Sequence, residues 1–191
     1  MDNIAYKFIP YPSFKSDRMI LRKLELSDAK DMFEYCSKEE VSFYENWKPH
    51  KSIDETKDFL RWVRWQYLKK KIKTWAIELY SGKMIGTVSF VNIDTENKSA
   101  EIGYTISNSY WGQGYAKEAA YQLLRFAFVE LDLERVQARV IKGNERSRKV
   151  LKKLGFSYEG TARNANFYEN RLNDLMYFSI LKGEFFTLFG K

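Results

Sequence analysis

A chain of 191 residues with 45% apolar and 17% aromatic residues can bury one sizeable core, which excludes a disordered chain and leaves little room for two full domains. The formal net charge of +7 is spread along the chain, with modest clusters at 69–73 and 142–153. It reads as solvated basic helix faces and argues against a nucleic-acid partner, although the second cluster could also serve a phosphorylated ligand. One cysteine, Cys36, and one histidine, His50, exclude a disulfide frame and a histidine- or cysteine-rich metal site; no metal is expected.

The first 18 residues carry no apolar run between a basic start and a small-residue cleavage site, and no apolar stretch nears the roughly 18 residues that cross a bilayer. A cytoplasmic protein without a membrane partner is expected. No repeat, low-complexity segment or linker interrupts the chain. It reads as a single domain over 1–191, with an N-terminal extension of about 1–16 and a tail at 183–191.

Periodicity then places the elements. Residues 18–24 alternate and predict a first strand. Ser27 is positioned to cap a short helix through Cys36. Ser52 and Glu55 form a capping box for a helix to about Lys70, with Phe59, Trp62, Val63 and Tyr67 at helical spacing. Three strands follow at 73–79, 83–93 and 99–107, joined by turns at Ser81-Gly82 and 94–98, as in an antiparallel meander. A helix is predicted over 115–131 and a strand over 135–141. Asn144 caps another helix that ends at Gly155. Segments 156–168 and 171–182 pair as a hairpin.

The segment 109-SYWGQGYAKEAA-120 sets Gly112 and Gly114 two apart, directly before a helix. The first turn of a helix carries amides without internal partners, and its dipole favours negative charge. Glycines there let the amides of Gln113, Gly114, Tyr115, Ala116 and Lys117 face one pyrophosphate. Such a pair also arises by chance, so the loop alone does not decide. It is not a P-loop, since no Gly-Lys-Ser/Thr ends it. Nor is it a dinucleotide fingerprint, since a third glycine is absent and the preceding strands are hairpin-linked.

A second motif, 144-NERSRKVLKKLGF-156, follows about thirty residues on. Together the two resemble the GNAT superfamily of acetyl-CoA-dependent acyltransferases. That family's signature is Gln/Arg-x-x-Gly-x-Gly/Ala. Here it reads Trp111-Gly112-Gln113-Gly114-Tyr115-Ala116, so Gly114 and Ala116 match and Trp111 departs at the first position. With 20-ILRKLELSDAKDMF-33, 100-AEIGYTIS-107 and 167-FYENRLNDLMYFSIL-181, the chain is more closely similar to the Rim-type branch of ribosomal-protein N-terminal acetyltransferases.

The resemblance implies an α/β (α+β) fold: a mixed, mostly antiparallel sheet, splayed at the cofactor site, with helices on both faces. It implies acetyl-CoA as cofactor. The pantetheine arm would pair with the backbone of Tyr104, Thr105 and Ile106. The pyrophosphate would rest on Gly112, Gln113, Gly114, Tyr115, Ala116 and Lys117. Asn144 would contact the arm, or act as a plain N-cap, or both. Lys149, Lys152 and Lys153 would lie near the ADP phosphates or simply face solvent.

Many relatives protonate the leaving thiolate with a tyrosine, whose position here is Leu151. In the Rim-type branch the proposed donor is a serine, here Ser147. The glutamate base of a Rim-type relative falls on Asn166. The remaining candidates for the base are Glu101, which could instead partner a basic side chain, and Glu169. Water could also remove the proton, since a terminal α-amine has a pKa near 8. The expected substrate is a primary amine: a protein N-terminus first, and a small molecule such as a polyamine, amino acid or antibiotic second.

Phe43, Tyr44, Trp47, Trp62, Trp65, Phe167 and Tyr168 could line an aromatic cleft for a cationic amine, although Trp62 at helical spacing reads as core. Glu39, Glu40 and Glu45 read as solvated carboxylates that could also draw a cation. A non-catalytic acyl-CoA-binding module and a basic RNA-associated protein are the competing functions. A homodimer is left open.

Overall fold

The computed structural model describes residues 4–71, 73–168 and 170–190. Among the described residues eight strands form one mixed sheet in the order β1-β2-β3-β4-β5-β6-β8-β7. They are β1 (Phe14–Lys15), β2 (Met19–Arg22), β3 (Lys73–Leu79), β4 (Met84–Asp94), β5 (Ser99–Ile106), β6 (Arg135–Ile141), β7 (Ser157–Tyr168) and β8 (Arg171–Leu181). The helices are α1 (Ala29–Cys36), α2 (Glu39–Ser42), α3 (Ile53–Leu68), α4 (Tyr115–Arg125), α5 (Glu145–Lys153) and α6 (Lys182–Phe189). The chain forms two compact units, residues 1–90 with 104–122, and residues 91–103 with 123–191.

Of the meander predicted over 73–79, 83–93 and 99–107, the β3–β4 hairpin is present and β5 neighbours β4 in the sheet. β1, β2, β3 and β4 pair antiparallel in succession. Gly82, at φ +85°, turns β3 into β4 with its amide on the Leu79 carbonyl (2.8 Å). Glycine at 86 has a different cause: a Cβ there would stand 2.2 Å from the Thr105 carbonyl oxygen. The end of β5 therefore approaches β4 more closely than a side chain permits, and the Ser107 amide bonds the Ile85 carbonyl (2.8 Å).

Trp75 is fully buried, donates to the Pro12 carbonyl (2.7 Å) and is surrounded by Phe8, Tyr11, Phe14 and Phe90. The residues read as an N-terminal extension thus include a packed aromatic layer from Phe8 to Phe14.

In the first unit two expectations for the helices change. Ser27 is not the cap of α1; it lies within a 3₁₀ turn at Leu26–Asp28. Asp28, 4% exposed, holds that corner. It accepts from the Glu25 amide (2.8 Å) and from both terminal nitrogens of Arg22 (2.9 and 2.7 Å), while Arg22 Nε reaches Glu78 (2.6 Å). A carboxylate paired with a guanidinium outcompetes a hydroxyl for this place.

Ser52 does cap α3, accepting from the Glu55 amide (3.3 Å), but Glu55 answers to the Lys51 amide (2.8 Å). The buried face of α3 is Thr56, Leu60 and Val63; Trp62 is 49% exposed and is not core. The phase was masked because an inward residue is polar: Thr56 is fully buried by bonding its hydroxyl to His50 Nδ1 (2.7 Å). Leu24, Met32, Tyr35, Cys36, Leu60 and Val63 form the core beneath α1 and α3.

In the second unit β5 pairs parallel with β6 from Ser99↔Arg135 to Glu101↔Gln137, and β5 itself continues to Ile106. β6 pairs antiparallel with β8, and β8 with β7, as the predicted hairpin. The predicted helix over 115–131 is α-helical only to Arg125 and then makes a π turn, Phe126–Glu130, in which the Leu131 amide reaches the Phe126 carbonyl (3.0 Å). Residues read as a tail fold as α6, whose Phe185 is buried against Phe128 (ring centroids 5.1 Å apart). No helix among the described residues is long and apolar enough to cross a membrane.

Candidate active site

The glycine loop of the first unit is open. Gly112 and Gly114 adopt φ +77° and +86°, a region costly for residues with a Cβ. Nothing lies within 4 Å of a Cβ placed at Gly112, and only the tip of Arg18, 3.5 Å away, nears one at Gly114. Gly112, Gln113, Gly114 and Lys117 are exposed; Tyr115 and Ala116 are half-buried. Among the described residues the first amide of α4 with a main-chain acceptor is Glu118, on the Gly114 carbonyl (3.1 Å). The amides of 112–117 thus have no main-chain acceptor among the described residues and lie at a helix N-terminus, which fits a diphosphate. Trp111 keeps the loop in place by donating its indole N–H to the Ile106 carbonyl (2.8 Å).

Arg18, which the sequence did not single out, joins this loop. Its Nη1 donates to the Gln113 carbonyl (3.0 Å), its Nε to Glu118 Oε2 (2.7 Å), and its guanidinium lies over the Tyr115 ring, 4.3 Å from the centroid. Ser16 Oγ also donates to Glu118 (2.7 Å). Partial burial pushes the Glu118 carboxyl up, but the Ser16 and Arg18 donors outweigh it and hold the group below the usual carboxylate range. Engaging the Gln113 carbonyl from one side orients that peptide, and a cation stands beside the open amides.

The end of β5 belongs to the same unit. Tyr104 and Thr105 are half-buried and Ile106 is buried. Thr105 Oγ1 donates to Glu45 Oε1 (3.0 Å). Glu45, expected among solvated carboxylates, is half-buried on the loop after α2. Burial pushes its carboxyl up to about 7, with the Thr105 bond acting in the opposite direction. Glu40 is engaged as well, accepting from the Asn108 side chain.

The second unit holds the other candidates. Glu101 accepts from Arg139 Nε (2.8 Å) and from the Gln137 amide (3.3 Å), so both its oxygens are in use by side chains. This is the structural partnership weighed against the base. Asn144 is the N-cap of α5, its Oδ1 accepting from the Ser147 amide (3.2 Å). Asn144 and Ser147 are half-buried at the helix start, and Leu151 is fully buried. Lys149, Lys152 and Lys153 are exposed. Asn166 on β7 buries an Nδ2 that has no acceptor among the described residues. Glu169 lies outside the described residues.

The aromatic candidates divide. Trp47 packs on the first-unit core and against His50, while Phe43, Trp62 and Trp65 are half-exposed or more. Burial holds His50 below its ordinary pKa, and its bond to Thr56 gives it a structural part.

A strand end, an open glycine loop and a helix N-terminus in sequence make an anion-binding class of site that a diphosphate fits. The comparisons agree. The Acetyltransferase (GNAT) domain family matches residues 18–157. An uncharacterized N-acetyltransferase, p20, of Bacillus licheniformis is 36% identical over 89% of this chain and 96% of its own length. A putative ribosomal N-acetyltransferase, YdaF, of Bacillus subtilis is 42% identical over 56% of this chain and 58% of its own. The spermidine N-acetyltransferase of Vibrio cholerae, solved in complex with CoA and spermine, has the same fold, with a TM-score of 0.75, 22% identity and coverage of 89% and 99%. The chain belongs to the GNAT acetyltransferase family and is an N-acetyltransferase.

Proposed function

We propose that the protein transfers the acetyl group of acetyl-CoA to the α-amine of a protein N-terminus, in the manner of the Rim-type branch. In this reading the chain works in the cytoplasm as one catalytic domain. The observation that carries it is the run of amides at 112–117, through the loop and the first turn of α4, without main-chain acceptors among the described residues and with Arg18 beside it. Gly112, Gln113, Gly114, Tyr115, Ala116 and Lys117 hold the diphosphate. The backbone of Tyr104, Thr105 and Ile106 holds the pantetheine arm as an added strand would be held.

Acetyl-CoA supplies an acetyl carbon activated by its thioester. The residues position that carbon, remove a proton from the amine and return one to the departing thiolate. The amine nitrogen bonds to the carbonyl carbon as the carbon–sulfur bond breaks. Ser147, at the start of α5, gives the thiolate its proton, and Asn144 keeps that helix start in order.

The Bacillus subtilis relative named as a ribosomal N-acetyltransferase supports the N-terminal substrate. A small cationic amine is the second reading, favoured by the carboxylates Glu40 and Glu45 placed at Asn108 and Thr105. The test is acetyl-CoA-dependent thiol release with peptides starting in Ala or Ser against spermidine and free amino acids. Preference for the peptides supports the lead reading. Preference for spermidine establishes the second, and acetyl-CoA binding with no release by any amine contradicts both.

A further inference from the structure

We propose that Glu45 is the general base of the transfer, accepting the proton that the incoming ammonium must lose before its nitrogen can attack. The inference rests on the acetyl-CoA reading above and names the group that the sequence left open. Its geometry is specific. Glu45 comes from the loop after α2 and meets Thr105, the middle residue of the strand end assigned to the pantetheine arm, through the Oε1 bond of 3.0 Å. Among the described residues Oε2 has no hydrogen-bond donor, so that oxygen is available to an amine. Glu101, by contrast, is occupied by Arg139 and Gln137.

The surroundings suit the task. The titratable groups facing Glu45 are Tyr35 and Cys36 of α1. Burial holds the tyrosine well above its ordinary value and pushes the thiol up to about 12, so both are neutral near pH 7 and neither neutralises the carboxylate. A carboxyl with a pKa of about 7 is half ionised at neutral pH and lies close to a terminal amine in proton affinity. A solvated glutamate, near 4.3, would be a much weaker base for the same amine.

The step balances. The ammonium gives one proton to the Glu45 carboxylate and becomes a neutral amine. Its nitrogen forms the amide bond as the carbon–sulfur bond breaks; the second nitrogen proton passes to water, and Ser147, having given its hydroxyl proton to the thiolate, takes one back from water. Glu45 then returns its proton to water.

The experiment compares native protein with Glu45→Gln and Thr105→Val. Carboxyl carbons of ¹³C-labelled glutamate are titrated by NMR, and acetyl-CoA affinity and the pH profile of kcat/KM are measured with the amine the native enzyme accepts. The native spectrum is expected to show one glutamate titrating near pH 7, absent in Glu45→Gln and moved upward in Thr105→Val, which loses the donor to the charged form. Glu45→Gln is expected to keep its acetyl-CoA affinity, to lose roughly 10²–10⁴ in kcat, and to lose the rise of kcat/KM through pH 7.

An ordinary glutamate titration, or a Glu45→Gln enzyme that keeps both rate and rise, overturns the proposal. Native protein that fails to bind acetyl-CoA overturns the underlying reading instead. Should Glu45→Gln not fold, the native titration and its movement in Thr105→Val decide the matter.

Discussion

At the scale of single residues, two side chains stand in places that their types alone do not suggest. Glu45 looks in the sequence like any loop carboxylate; only the long-range contact with Thr105 and the burial around it separate it from Glu39 or Glu40. Burying an ionisable group costs stability, with a definite sign. The folded pKa lies above the unfolded value, so folding takes up a proton between about 4.5 and about 7, and stability is lost as pH rises through that window. Replacing Glu45 by Gln should therefore stabilise the protein at pH 8, by at most about 3 kcal/mol at 1.36 kcal/mol per pKa unit, and the gain should fade towards pH 4. Denaturant unfolding at the two pH values checks this; a Gln variant less stable at pH 8 contradicts it.

Arg18 was equally invisible, because its partners Gln113 and Glu118 lie about a hundred residues away in the chain. A cation beside an anion cradle strengthens it, though Glu118 neutralises part of its charge. Arg18→Ala should weaken acetyl-CoA binding about 5- to 30-fold, the equivalent of roughly 1–2 kcal/mol. Unchanged affinity would reduce Arg18 to a brace for the loop. Ser147→Ala should lower kcat more than it raises the KM for acetyl-CoA; the reverse pattern would make Ser147 a binding residue.

At the scale of elements, much was legible where local chemistry decides. The strands β3, β5 and β6 lie within a residue of their predicted bounds, since alternation and turn residues fix them. The Asn144 cap and the terminal Gly155, at φ +84°, are likewise local signals. The misses came where tertiary contact overrides. The α1 corner went to Asp28 because Arg22 reaches it from β2. The α3 stripe is displaced by a polar residue hidden through His50. α6 was passed over although Glu184 accepts from the Leu181 amide (2.8 Å) and Gly190 follows the helix, two signals that could have revealed it.

Gly86 ties two elements together, β4 and the end of β5. Its missing Cβ admits the Thr105 carbonyl, which is backbone and cannot swing aside. Gly86→Ala should cost about 1–3 kcal/mol and disturb the strand end that presents Thr105. Chemical denaturation with an unchanged midpoint would refute that close approach.

For the molecule as a whole, family membership was readable because it resides in backbone conformation. An open glycine loop ahead of a helix recurs whatever side chains surround it, and Trp111 at the signature's first position alters a side chain without closing the cradle. The substrate was not readable. It depends on which groups stand around the amine, and motifs that fix backbone conformation do not name them.

The central claim is that residues 112–117 grip a diphosphate. Calorimetric titration of acetyl-CoA into native protein and into Gly114→Asp tests it most directly, because the new carboxylate would occupy the anion's own place in front of the free amides. Saturable binding by the native protein is expected, with at least about 100-fold weaker binding by the variant, equivalent to roughly 3 kcal/mol, and the melting temperature of the free protein within a few degrees. Equal affinity in the two proteins would contradict it.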